Sequence, residues 1–252
     1  MYKNNYLRLL TALATVIVAG CGGGSSSSTT EPPLQGAYSG TVSGSSSSSA
    51  FSALVLEDGE YWALYGNNVG GVFEVKGFLE GQGASSNGNF TSTSVLDYGV
   101  SPPASGTLNA TYVKGTSFGG SVSFAAGTLS FNGTPIPAAA YVYDTAASLP
   151  SILGNWILTD LQNNPAALTV NANGAFTLND GGCLTTGTAT PRPSGINVFN
   201  IGATVGGAPC SGAGLLLNGI AIVTLLASGQ HQLIIATINP SQTESAALFG
   251  IR

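Results

Sequence analysis

Short runs rich in Val, Ile, Thr, Phe and Tyr alternate along this chain with Gly, Asn, Asp and Ser, and almost nowhere do apolar residues recur with helical spacing. A two-residue period of this kind belongs to half-buried antiparallel strands. In GVFEVKGFLEG it places Phe73, Val75 and Leu79 on one face and Glu74 and Lys76 on the other. Asp58-Gly59 and Asn173-Gly174 are strong hairpin-turn signals, and together they disclose a repeat. QGAYSGTV precedes the first turn and LGNWILTD the second, with 20 residues from Tyr38 to Asp58 and 17 from Trp156 to Asn173. Each copy opens on a Gly-x-aromatic strand and continues through seven or eight more strand-like runs. The alternation lapses in YDTAASLPS, Tyr143 to Ser151, where Pro150 interrupts. The pattern therefore predicts an all-β protein of two tandem small antiparallel up-and-down β-barrels, residues 36–147 and 148–252.

The amino terminus follows another plan. Lys3 and Arg8 precede a short apolar run, Leu9 to Val18, too short to span a bilayer as a helix of about 20 residues. Residues 1–20 read as a secretory signal peptide. Val18-Ala19-Gly20-Cys21 resembles a bacterial lipobox. That resemblance implies cleavage before Cys21, a diacylglycerol on its sulfur and an acylated amino group, with palmitate-type chains. Each buried methylene contributes about 0.8 kcal/mol, so several chains hold a protein where one does not. Gly22 and Gly23, with no Asp beside the cysteine, imply the outer membrane of a Gram-negative bacterium in lipoproteins of this kind. Residues 21–35 then form a Gly/Ser-rich tether with nothing to bury, whose flexible part reaches about 20 Å.

Composition narrows the partners. Without Lys3 and Arg8 the mature chain keeps 4 basic residues against 11 acidic, a net charge of −7, which argues against nucleic acid or any polyanion. Cys183 and Cys210 remain after the anchor, and an even pair in an exported chain reads as a disulfide. A metal pair is the weaker reading, because no Cys-x-x-Cys occurs and His231 is the only histidine.

The second half resembles the carboxy-terminal unit of uncharacterised proteobacterial lipoproteins with tandem lipocalin-like, calycin-type β-barrels. The residues that carry this are Gly154, Trp156, Thr169, Gly174, Phe176, Gly182, Cys183 and Cys210, with the first half matching only loosely. The resemblance implies a lipocalin-like barrel and brings no catalytic residue. At the level of fold alone it extends to surface lipoproteins that bind host proteins and to barrel-shaped lysozyme inhibitors.

Chemistry is sparse. GTSFG, Gly115 to Gly119, matches a Gly-x-Ser-x-Gly nucleophile pattern, and Asp144, Asp160 or Asp180 and then His231 follow in hydrolase order. Yet Ser117 lies between two strand-like runs, and the motif requires a strand, a sharp turn and a helix. His231 beside Ser228-Gly229 reads as a solvated turn residue. EDGE, Glu57 to Glu60, lacks the alternating ligands of a calcium loop and reads as a solvated hairpin. No enzymatic activity, cofactor or metal is expected.

Two features bear on binding. GLLLNGIAIVTLLASGQHQLIIATI is apolar on both strand faces, so the outer face of Ile220 to Ile238 should be covered by the first barrel or a second molecule. Residues 36–147 carry fifteen aromatics, whereas 149–252 carry only Trp156, Phe176, Phe199 and Phe249. Adjacent strand residues face opposite sides, so one of Tyr61 and Trp62 should be exposed, making this pair the candidate ligand-binding residues and the first half the expected binder. The expectation is an outer-membrane lipoprotein acting as a non-catalytic binding or structural envelope module. The alternatives are an inhibitor of an envelope-attacking enzyme such as a lysozyme, with LEDGEYW as its loop, and a carrier of a small apolar ligand. The latter requires an unfilled barrel. Which face of the outer membrane the protein occupies, and its oligomeric state, stay open.

Overall fold

The computed structural model describes residues 31–44 and 48–252. The expected signal peptide and the candidate lipidation site Cys21 lie outside the described residues. The first barrel is built from β1 Gly36–Ser43, β2 Ala50–Val55, β3 Glu60–Val69, β4 Val72–Gln82, β5 Ala84–Ser86, β6 Asn89–Asp97, β7 Ala104–Val113, β8 Ser117–Phe124 and β9 Gly127–Pro135. All pairings are antiparallel, in the order β4-β3-β2-β1-β9-β8-β7-β6. The ring closes where β4 meets β6 at Leu79↔Asp97 and Glu80↔Leu96. Strand β5 only extends β6, so eight strands make the wall.

A one-turn helix, α1 Leu149–Ile152, leads into the second barrel. Its strands are β10 Gly154–Asp160, β11 Pro165–Val170, β12 Ala175–Asp180, β13 Cys183–Pro191, β14 Phe199–Val205, β15 Leu216–Leu225, β16 His231–Ile238 and β17 Ser245–Ile251. They close in chain order, with β17 returning to β10. Two tandem eight-stranded up-and-down barrels are thus what the alternating pattern predicts.

The repeat holds at the level of single residues. Gly36 and Gly154 begin the first strand of each barrel at φ +136° and +93°, where a side chain is strained. Asp58-Gly59 and Asn173-Gly174 each join the second strand of a barrel to its third.

One face assignment changes. Val75 pairs with Gly66 but Gly77 pairs with Tyr65, so Lys76 is an extra residue and β4 carries a bulge. A single inserted residue inverts the alternation beyond it. Phe73 and Val75 therefore share the outer face with Phe78, while Leu79 points into the barrel.

The outer face of β2–β4 is not solvated. Trp62, Leu64, Phe73, Val75 and Phe78 pack in one buried cluster with Ile220, Ile222, Ile234, Ala236 and Phe249 from β15–β17. The two-faced apolar hairpin is covered by the first barrel, as its composition requires. Tyr141 and Tyr143 of the connection between β9 and α1 fill the same seam, and Tyr143 donates its hydroxyl to the Val55 carbonyl at 3.0 Å. Each large side chain withdrawn from water contributes roughly 1.5–3 kcal/mol, enough across this seam to override the usual independence of tandem domains.

Polar groups in the seam are matched. Beyond its short pairing with β6, strand β4 has an open edge, and Gln232 caps it. The Gln232 amide donates to the Phe73 carbonyl at 2.7 Å and its oxygen accepts from the Phe73 N–H at 3.2 Å. At one end Arg192 donates to Glu57 at 2.9 Å and to Asp58 at 3.1 Å. The EDGE turn is therefore an anchor between barrels rather than a free solvated hairpin.

Candidate functional site: the open calyx of the second barrel

The two interiors are filled differently. Nine aromatic rings belong to the interior cluster of the first barrel: Tyr38, Phe51, Tyr61, Tyr65, Phe90, Tyr112, Phe118, Phe124 and Phe131. They interlock, with Phe118 5.3 Å from Tyr38 and 5.1 Å from Phe131 between ring centres. Glycines make the room. The Tyr65 ring crosses Gly77 and Gly99, and Phe90 lies on Gly83, leaving no space for a Cβ at any of the three. The space left over is about 50 Å³, enough for a small dry void and no ligand.

The second barrel has three rings inside, Trp156, Phe176 and Phe199. Two of them, Trp156 and Phe199, are almost completely buried. Trp156 donates its indole N–H to the Ile152 carbonyl at 2.8 Å. The Arg252 guanidinium lies over its ring at 4.2 Å and donates to the Leu153 carbonyl. Helix α1, Trp156 and Arg252 thus close the floor.

Above the floor the barrel is hollow. A cavity of about 710 Å³ opens at the end opposite α1, within the ~300–1,000 Å³ typical of small-molecule sites. Leu168, Phe176, Ile201, Leu217, Ile235 and Leu248 line it in depth, together with the hydroxyl-bearing Thr185 and Thr237. Polar groups gather at the rim: Asp160, Asp180 and Glu244, with Lys76 and the loop 98–103 contributed by the first barrel.

The disulfide is formed between Cys183 and Cys210, with Cα atoms 4.7 Å apart. It stands at the rim, tying the start of β13 to the long loop before β15. It thereby holds the mouth, the part of a hollow barrel that core packing supports least.

The candidate ligand pair behaves differently from expectation. Neither residue is exposed: Tyr61 is 3% and Trp62 1% accessible. Alternation holds, with Tyr61 inward, but the outward Trp62 is sealed under the second barrel, stacked on Phe78 at 5.7 Å. Burial raises the Tyr61 hydroxyl to about 12, and it bonds Ser92 at 3.1 Å inside the filled barrel. The first barrel's aromatics are core and seam, so the geometry shifts the candidate site to the second barrel.

Other candidates resolve simply. Ser117 begins β8 in a hairpin with β7, with no helix after it. His231 is exposed at the start of β16 on the other barrel. Among the described residues no group of three His, Cys, Asp or Glu side chains is placed to hold a metal.

No family model and no curated protein matches the chain. Among solved structures, a protein of unknown function from the DUF3598 family of Nostoc punctiforme aligns at 13% identity. The alignment spans 88% of this chain and 94% of that one, with a TM-score of 0.26, a likeness on which no functional argument rests.

Proposed function

We propose that this chain is a lipid-anchored protein of the Gram-negative outer membrane whose second barrel carries a small apolar or amphiphilic molecule, without catalysis. The first barrel is its filled structural partner. The cavity of about 710 Å³ carries the reading: apolar side chains line its depth within a closed barrel, and each methylene they withdraw from water is worth about 0.8 kcal/mol. The lipobox-like Val18-Ala19-Gly20-Cys21 supports the anchor. The inhibitor alternative draws less support, because two acids of its proposed loop, Glu57 and Asp58, are paired with Arg192 and the third, Glu60, accepts from the Trp62 indole.

Two experiments test the two halves of the proposal. Cys21→Ser should move the protein out of the membrane fraction, and its retention there contradicts the anchor. Protein purified from envelopes without detergent and analysed by native mass spectrometry should carry one small apolar molecule per chain. A bare chain that also takes up no neutral naphthylamine probe contradicts the carrier.

A further inference from the structure

The inward-facing row of β10 runs Trp156, Leu158, Asp160, and that of β12 runs Phe176, Leu178, Asp180. Each row is apolar toward the floor and ends on a carboxylate at the rim of the cavity. Glu244, between β16 and β17, adds a third acid there. The one cation lining the cavity, Lys76, is already engaged: its Nζ lies 3.6 Å from Glu74 and donates to Asn163 Oδ1 at 3.2 Å. Asp160 is fixed by the N–H groups of Gln162 at 2.8 Å and Asn164 at 2.7 Å. Asp180 takes part in none of the ion pairs among the described residues. Burial first, and then the neighbouring charge of Asp160, push its carboxyl above the usual range.

Resting on the calyx as a ligand site, we infer that its ligand is an amphiphile with an apolar tail for the barrel and a cationic head for the rim, and that fatty-acid anions are rejected. The head supplies the countercharge missing beside Asp180 and Asp160, while the tail lies against Leu168, Phe176, Ile201 and Ile235. A carboxylate in the same place meets two like charges at short range, in a site partly shielded from water and salt. The net charge of −7 on the mature chain favours approach of cations over anions from a distance as well.

Residues 22–252, which include both barrels and their seam, are exported without the anchor so that the disulfide forms. Dodecyltrimethylammonium, dodecanol and dodecanoate, all below micelle formation, then compete with the neutral probe N-phenyl-1-naphthylamine at low salt. The cation should bind tightest and the carboxylate weakest, separated by about tenfold or more, with the gap closing as salt is added. Asp180→Asn should weaken the cation several-fold and leave the alcohol unchanged. Equal affinities for the three, or a preference for dodecanoate, overturn the inference while leaving the calyx as a ligand site. An equal loss for all three in Asp180→Asn overturns it too, since that marks a structural role. Failure of the probe and of every competitor to bind overturns the carrier reading itself.

Discussion

The two barrels share a strand count, a topology, an opening Gly-x-aromatic strand and the position of a diagnostic turn, yet one encloses nine aromatic rings and the other three. The first is left with a void of about 50 Å³, whereas the second opens into a cavity of about 710 Å³ whose mouth the first barrel helps to line. A small barrel of eight strands is just wide enough to be filled by side chains or to hold one small ligand, so residue volume decides between the two states. Glycine abundance alone does not separate them. In the first barrel it seats rings, as with Tyr65 on Gly77 and Gly99.

The sharpest way to break this comparison is to make the same change in both interiors. Phe118→Ala, in the filled barrel, removes a ring in contact with three others and should cost about 3–5 kcal/mol. Phe176→Ala, beside a cavity that already exists, should cost roughly half as much, since fewer contacts are lost. Urea midpoints at matched m-values read both; equal losses contradict the contrast in packing.

Next in size is the disulfide, which only the hollow barrel possesses. Its cysteines are 27 residues apart, and opening that loop by Cys183→Ser should cost about 3–4 kcal/mol in the chain-entropy model. Hydrogen exchange should rise first in β13 and the loop before β15. A rise beginning in the first barrel is the contrary result.

Glu80 links the filled barrel to the rim of the hollow one. It is buried on the outer face of β4 and accepts from Gln242 in the loop between β16 and β17 at 3.2 Å. Burial, then the charge of Glu60, raises its carboxyl to about 7. A carboxyl raised in the folded state binds more protons there than when unfolded. Stability therefore falls as pH rises from about 4.5 to about 7 and levels off above, by up to about 3 kcal/mol. Glu80→Gln should remove most of that slope, and an unchanged slope assigns it to other groups.

The smallest effect on stability is expected from filling the calyx. Ala203→Phe, on the inner wall, should change the unfolding free energy from urea titration by less than about 1 kcal/mol because the ring enters empty space, while weakening probe binding by about tenfold or more.

Much of this fold was legible in the sequence. Two-residue alternation gave the strands and their count, and two Gly-containing turns gave the repeat. The apolar outer face of Ile220 to Ile238 announced its cover. Alternation could not tell what an outward face meets, which is why it predicts one of Tyr61 and Trp62 at the surface while the outward residue, Trp62, is sealed in the seam. Nor could it show the extra residue at Lys76 that inverts β4. The candidate site was written in a subtraction: the scarcity of aromatics after residue 149 marks the hollow barrel more plainly than their abundance before it marks a binder.

Titration of the anchor-free chain with N-phenyl-1-naphthylamine, alone and as Ala203→Phe, tests the central claim most directly. One saturable site per chain, lost in Ala203→Phe and kept in Trp62→Phe, is the predicted result. Absence of saturable binding, or full binding by Ala203→Phe, contradicts a ligand site in the second barrel.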